Sequence, residues 1–271
     1  MQIAAHVLAD SVNHAGQRLT TFEVTCHRFL LAQINTHRVL SRNFRSSRAV
    51  PTAKLIEEVR RDPAHPLHWC RNRPGMQGGG ELDETEREAA RTVWQRAAES
   101  AADTAEALAR SGLHKQHVNR VLEPFMWAHG VISGTEWGNF YAVRIAHDAQ
   151  PEFQALAAAM RDAQSASTPA LLRDGAWHLP YAAPEDRDAQ RVAPITLAKM
   201  CAARIARVSY RPHDLEADPA PTRDVERANA LREAGHWSPF EHIATADGAH
   251  IFRPQHRNFR GWAQFRAMQG G

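Results

Sequence analysis

Gln33-Ile34-Asn35-Thr36-His37-Arg38-Val39-Leu40-Ser41-Arg42-Asn43-Phe44-Arg45-Ser46-Ser47-Arg48 packs four arginines, a histidine, three amide side chains and four hydroxyls into sixteen residues. It follows directly on the apolar stretch Phe29-Leu30-Leu31-Ala32. Forked guanidinium groups hold phosphates and carboxylates bidentately, and amides and hydroxyls orient the rest of a polar anion. Such density points to a small-anion site. A basic surface patch or an RNA-contacting loop is the other reading open to it.

The run resembles the signature of the flavin-dependent thymidylate synthases. That signature is Arg-His-Arg, two residues, Ser, one residue, Asn-Glu, one residue, Ser, one residue, Arg-Tyr, with a Gln upstream. His37, Arg38, Ser41, Asn43, Ser46 and Arg48 fall in register, and Gln33 takes the place of the upstream Gln. Thr36 stands where the family has its first Arg, Phe44 where it has Glu, and Ala49 where it has Tyr. Losing the Glu replaces an acidic acceptor with an aromatic face.

Working outward, three further stretches carry the resemblance. Asn119-Arg120-Val121-Leu122-Glu123-Pro124 is similar to the family segment in which an arginine precedes a Leu-Pro turn, with Glu123 inserted before the proline. Between Thr135 and Glu152, the residues Asn139, Arg144, Ala149, Gln150 and Glu152 match a family pattern of Asn, an apolar piece, Arg, four residues, Ala-Gln, one residue, Glu. The histidine found there just before Ala-Gln is displaced: Asp148 occupies its place and His147 precedes it. Gly235-His236-Trp237-Ser238-Pro239-Phe240-Glu241-His242 resembles the family's Gly-His, one residue, Ser/Thr-Pro-Phe-Glu-His, and Ala203 to Tyr210 its Ala-Arg-Val-Ser-Tyr. Taken alone, Ser-Pro-Phe-Glu-His also reads as a capped helix start.

The order is unexpected, because in the family the Ser-Pro-Phe-Glu-His piece precedes the arginine signature. Circular permutation and a duplication with a worn C-terminal copy both account for it. The stretch Gln255 to Trp262, which follows Ser-Pro-Phe-Glu-His at about the right distance to be a worn arginine signature and repeats the Arg-Asn-Phe-Arg of 42–45 at 257–260, fits the second. Permutation is slightly favoured. The chain is then one catalytic domain over 1–271, with permuted or duplicated halves at 1–165 and 195–271.

The resemblance implies transfer of a one-carbon unit from methylenetetrahydrofolate to C5 of a pyrimidine nucleotide, dUMP to dTMP in the first instance. Reduced FAD supplies the hydride and NADPH reduces the flavin. Residue by residue, it puts Gln33, Ser46, Arg48, Arg120 and Arg144 on the nucleotide, and His37, Arg38, Asn43, Asn139, Ser238 and Glu241 on the flavin. Arg144, Ser46 and Arg48 carry the catalytic assignment through orientation and charge, since the family needs no enzyme nucleophile. It also implies a homotetramer with sites at subunit interfaces. The departures at Thr36, Phe44 and Glu123 leave open the same chemistry on dCMP or UMP, hydroxymethylation, or a non-catalytic nucleotide- or RNA-binding relative.

Composition narrows the class independently. A chain of 271 residues can bury a sizeable core. The formal charge is only +3 despite a pI near 9.0, so no nucleic-acid partner is demanded. Arginine dominates because Lys54, Lys115 and Lys199 are the only lysines. Cys26, Cys70 and Cys201 are odd in number and far apart, as expected of reduced thiols. With no apolar leader-like start and no membrane-length apolar run, a cytoplasmic protein without membrane contact is expected. His114 with His117, and His65, His68 with Cys70, have metal-ligand spacing but no completing partners, so no metal is expected.

Pattern reading predicts strands at 2–9 and 18–25 around an Asn13-His14-Ala15-Gly16 turn. It predicts helical spacing from Cys26 to Asn35, the arginine run as loop or helix end, and a Pro-opened helix from Pro51 to Arg61. A long loop follows from Asp62 to Gly80, read as a cover over the substrate or as disorder. Further helices are expected at Glu81–Arg110 (apolar stripe Val93, Trp94, Ala97, Ala101, Ala105, Leu108), Gln116–Met126, Pro151–Ser165, Ile195–Ser209 and Glu226–Glu233, with a loop at Trp177–Pro184. Strands and helices do not alternate regularly, which favours an α+β fold: a mixed or antiparallel sheet packed with long helices.

Overall fold

The computed structural model describes residues 1–183, 192–209, 221–248 and 252–271. Two long strands, β1 (Ala4–Asn13) and β2 (Arg18–His27), form an antiparallel hairpin. The Asn13 side chain builds the turn between them, its Oδ1 accepting from the Ala15 and Gln17 amides at 3.0 and 2.9 Å. This local bond is what favours Asn in turns.

Strand β4 (Trp127–Gly134) pairs antiparallel with β2, and a short edge strand β3 (Ser41–Phe44) pairs antiparallel with β4. Strand β5 (Ala170–Leu172) adds parallel to β1, giving a mixed sheet in the order β3-β4-β2-β1-β5. A second, antiparallel sheet runs β6 (Trp177–His178), β7 (Ala244–Ala246), β8 (Trp262–Gln264).

The arginine run is therefore not simply a loop: its middle is strand β3. Its N-terminal part forms a single turn, α1 (Leu31–Ile34). The helical spacing read from Cys26 also begins later than expected, because β2 continues to His27 before a 3₁₀ turn at Arg28–Leu30. The segment from Trp177, expected as loop, contributes β6.

Alternation along β2 and β4 sends Phe22, Val24 and Ile132 to one face of the large sheet and Val131 and Ser133 to the other. On the first face they meet Ile34, the helix α5 (Gly138–Arg144, through Phe140) and α6 (Pro151–Ala166, through Phe153, Leu156 and Met160). On the second face Val131 meets a core of Leu197, Met200, Phe240 and Phe265, held by α7 (Pro194–Ala206) and a 3₁₀ turn at Ser238–His242. Helix α8 (Pro221–Glu233) packs on α7, and a last turn, α9 (Phe265–Met268), supplies Phe265.

Helices α2 (Thr52–Arg61) and α3 (Glu84–Arg110) make a satellite core with Val50 and Leu122. Helix α3 opens with a capping box of Asp83 and Glu86, but it packs on Ala98, Ala102 and Ala105 rather than on the whole expected stripe. Val93 is 63% exposed. The expected helix from Gln116 splits into α4 (Lys115–Val118) and a 3₁₀ segment Asn119–Phe125 around Pro124.

The loop after α2 is anchored at its start. Trp127 Nε1 and Trp94 Nε1 donate to the carbonyls of Asp62 and Ala64, both at 3.0 Å, and the buried Glu152 carboxylate accepts from the Leu67 amide at 2.9 Å. Its far part, from Arg71 to Gly78, is exposed.

Candidate active site

The first and second motif stretches meet at the end of α5. Arg144 Nε donates to His37 Nε2 at 2.8 Å, and its Nη2 to the Thr36 hydroxyl at 3.2 Å. The guanidinium lies 4.5 Å from the centroid of the Phe153 ring, and the His37 ring stands edge-on to Phe140 at 5.0 Å. Cation–aromatic contact of this kind suits a planar guanidinium. Burial, reinforced by Arg144 and Arg42, depresses the His37 pKa, and burial also lowers that of Arg144. Because Nε2 accepts, His37 is a neutral imidazole with its proton on Nδ1.

Beside them, Gln33 Nε2 donates to Gln150 Oε1 at 2.6 Å and Gln150 Nε2 to Glu152 Oε2 at 2.9 Å. The Ala-Gln-x-Glu match is thus a relay that ties α1 through α6 to the Leu67 amide. Asn139 lies in the first turn of α5 and is exposed.

The third stretch returns to the first. Ser238 donates from its hydroxyl to Asn43 Oδ1 at 3.1 Å, across 195 residues of sequence, and Asn43 Nδ2 donates to the Ile205 carbonyl at 2.9 Å. Ile205 belongs to the Ala203–Tyr210 stretch, of which Tyr210 lies outside the described residues. In that stretch Arg204 and Arg207 pair with the buried Asp224 at 3.1 and 2.5 Å, a structural use. Arg38, Arg42 and Glu241 line a concavity of about 440 Å³. Arg42 Nη1 donates to the carbonyls of His37 (2.6 Å) and Asn35 (3.2 Å), closing the open end of α1. Glu241 accepts from Arg266.

A third group surrounds Glu123. Its carboxylate accepts from Ser47 Oγ at 2.6 Å and from Arg28 and Arg120, both at 2.8 Å. Burial alone would raise the Glu123 pKa, but the Ser47 hydrogen bond and the two arginines outweigh it and hold it low. Arg120, assigned by resemblance to a nucleotide phosphate, is thus engaged by an internal anion. Arg45 is buried and paired bidentately with Glu58 at 2.9 and 3.0 Å. Ser46 is half-buried and Arg48 exposed in the following 3₁₀ turn.

The nucleotide set is therefore divided. Gln33 and Arg144 share the His37 side of the run, while Arg120 shares its Glu123 partner with Ser47, neighbour of Ser46 and Arg48. The flavin set is divided as well: Asn43 and Ser238 are hydrogen-bonded to each other, Arg38 and Glu241 line one concavity, His37 stands with Arg144, and Asn139 is exposed. Among the described residues no group of three or more His, Cys, Asp or Glu is placed to hold a metal ion. His114 instead accepts from the Gln116 amide at 3.2 Å, and His68 pairs with Glu81.

A family model described as thymidylate synthase complementing protein matches residues 16–170, more than half of the chain. The chain belongs to this family. The match ends before the Ser238–His242 turn, so that part of the cluster lies outside it. No curated protein matches the sequence. Among solved structures, a UMP/dUMP methylase PolB from Streptomyces cacaoi bound with 5-Br UMP is 17% identical over 60% of this chain and 89% of its own, with a TM-score of 0.45. The same enzyme bound with 5-Br dUMP gives 16%, 60%, 90% and 0.46. Thymidylate Synthase X from Helicobacter pylori with FAD and dUMP is 18% identical over 54% of this chain and 67% of its own, with a TM-score of 0.39.

Motif reading missed the residues that the C-terminal segment brings to the concavity: Arg257, Asn258, Gln264 and Arg266. The repeated Arg-Asn-Phe-Arg was a signal for Arg257 and Asn258, and nothing in the sequence marked Gln264 and Arg266.

Proposed function

We propose that this member of the family is a flavin-dependent enzyme that transfers a one-carbon unit from methylenetetrahydrofolate to C5 of a pyrimidine nucleotide, with FAD as cofactor and NADPH as its reductant. The reading rests on one observation above all: the Ser238–Asn43 hydrogen bond joins the two motif stretches that resemblance assigns to the flavin, although they stand in reversed order in the sequence. A polar concavity with Arg38, Arg42 and Glu241 on its wall fits the charged part of a dinucleotide. When bound, the flavin would supply the hydride. The chain's own residues orient and neutralise. His37, kept neutral and fixed by Arg144, offers Nδ1–H as a donor. Arg144 and Arg48 supply positive charge for a pyrimidine that gains negative charge as C5 attacks.

The division of the nucleotide residues into two groups is accounted for if Ser46, Arg48 and Arg120 complete the site of a second copy in a homotetramer. The returning C-terminal piece favours one catalytic unit over 1–271 with permuted motif order. dUMP is the leading substrate. UMP or dCMP is the neighbouring alternative, because Phe44 in place of the signature Glu removes an acidic acceptor from the run.

The test is the visible spectrum of the purified chain, followed by titration with dUMP, UMP and dCMP. Flavin bands that shift with one nucleotide support the reading and name the pyrimidine. A colourless protein that takes up no added FAD overturns it in favour of a non-catalytic relative.

A further inference from the structure

The concavity lined by Arg38, Arg42 and Glu241 is more basic than its motif residues require. Arg38 and Arg42 enter from the first signature, Arg257 and Arg266 from the C-terminal segment, against one carboxylate, Glu241. Clustered like charges repel, and an anion bound among them relieves that repulsion. The floor is a fixed amide lattice. Gln264 is 1% exposed and donates to Asn258 Oδ1 and the Glu241 carbonyl, both at 2.9 Å, while Asn258 Nδ2 donates to Ser41 Oγ and the Val39 carbonyl, both at 3.1 Å.

The repeated tetrapeptide is used unequally. The first arginine of each copy, Arg42 and Arg257, lines this concavity. The second of each is spent elsewhere: Arg45 on Glu58, and Arg260 on Glu136 at 2.8 Å. Arg257 has φ 54° and ψ −115°, the conformation of the first central residue of a type II′ turn, where glycine is preferred. Holding an arginine there costs backbone energy, and such strain gathers at binding sites. Of the four guanidiniums, Arg42 is committed to carbonyls and Arg266 to Glu241. Arg257 donates to the Gly271 carbonyl, and Arg38 has no hydrogen bond or ion pair among the described residues.

We propose that the C-terminal segment 257–266 is the second half of an anion site whose first half is Arg38 and Arg42, and that the two halves grip a diphosphate-bearing ligand between Arg38 and Arg257. Two guanidinium forks on the wall of one concavity suit two linked phosphate groups, each presenting a pair of oxygens. Naming FAD as that ligand rests on the function proposed above; the anion site itself does not.

The experiment is calorimetric titration of the full chain with inorganic pyrophosphate and, separately, with FAD, on the parent, Arg257→Gly and Arg260→Gln. Arg257→Gly removes the guanidinium while supplying the residue that this backbone conformation prefers, so a melting temperature no lower than the parent's is expected. Pyrophosphate affinity should fall roughly tenfold or more, the loss of a charge-assisted contact, while Arg260→Gln binds as the parent does. Parent binding should also weaken as salt rises. Equal pyrophosphate affinity in the parent and Arg257→Gly, or no pyrophosphate binding by the parent, would overturn the proposal. FAD binding that is indifferent both to pyrophosphate and to Arg257→Gly would overturn FAD as the ligand of this site and leave the flavin reading standing. Arg257-dependent pyrophosphate binding with no flavin uptake would support the anion site and overturn the flavin reading.

Discussion

At the residue scale the decisive pair is Arg144 and His37. Burial depresses the His37 pKa first, and the adjacent Arg144 charge depresses it further. Replacing Arg144 with Met keeps the length and most of the packing on Phe153 but removes the charge and the Nε donor. The His37 pKa should then rise, and NMR titration of its ring protons in the parent and Arg144→Met measures the change. An unmoved titration would show that Arg144 does not set the state of His37. In the same variant, affinity for the responsive pyrimidine nucleotide should fall by roughly tenfold or more, since a charge-assisted contact is lost. Residues of this kind were legible in the sequence because each motif holds its own spacing: Gln33, His37, Asn43, Arg144, Gln150 and Ser238 all enter clusters with another motif residue. What sequence could not show is how arginines divide between ligand and scaffold. Arg42, Arg45 and Arg120 stand in the same run or motifs, yet they serve helix-end carbonyls, Glu58 and Glu123. Their partners are fixed by how chain segments return in space.

The elements carry a different lesson. Strand β3 has the sequence Ser-Arg-Asn-Phe, too short and too polar for alternation to announce it. It exists because β4 offers it a long-range ladder and because Gly130 opens space for Phe44. A methyl group added at Gly130 would lie 2.2–2.6 Å from Phe44 ring atoms, well inside contact distance. Gly130→Ala should therefore cost about 1–3 kcal/mol by overpacking. Chemical denaturation measures the loss, and the double variant Gly130→Ala with Phe44→Ala should recover part of it. A Gly130→Ala chain as stable as the parent would mean that β3 shifts freely and does not hold Asn43 in place. Helix α3 shows the converse failure. Its stripe read as core-facing, but the fully buried residues on this helix are the small ones, Ala98, Ala102 and Ala105, with Ala101 and Leu108 packed at the margin, and Val93 is left facing solvent. Periodicity tells how a helix could pack, while the neighbours decide which residues do.

At the scale of the whole molecule, the α+β class followed from the irregular mixture of strands and helices, but the contact that assembles the candidate site, between residues near 43 and near 238, could not be read from motif order. A buried polar chain crosses the same boundary between the two sheets. Ser11 Oγ lies 2.9 Å from His178 Nδ1, His178 Nε2 is 2.8 Å from Thr21 Oγ1, Thr21 is 2.7 Å from Ser133 Oγ, and Ser133 is 2.8 Å from His242 Nδ1. Burial, helped by His178 and Arg42, pushes the His242 pKa down to about 3. The unfolded chain takes up this proton near pH 6.5, whereas the folded chain resists it until about pH 3. Between those values the unfolded state binds more protons, so stability is complete above about pH 6.5 and declines as pH falls toward 3, by at most about 1.4 kcal/mol per pH unit from this group. His27 and His37, whose pKa values are also lowered, act in the same sense. Replacing His242 with Gln keeps a polar side chain there but removes the titration. His242→Gln should be less stable than the parent at pH 7.5, through the broken bond to Ser133, and its stability should fall less steeply between pH 6.5 and 4.5. Parallel stability curves for the two proteins over that range would show that the buried imidazole is not what couples this fold to pH.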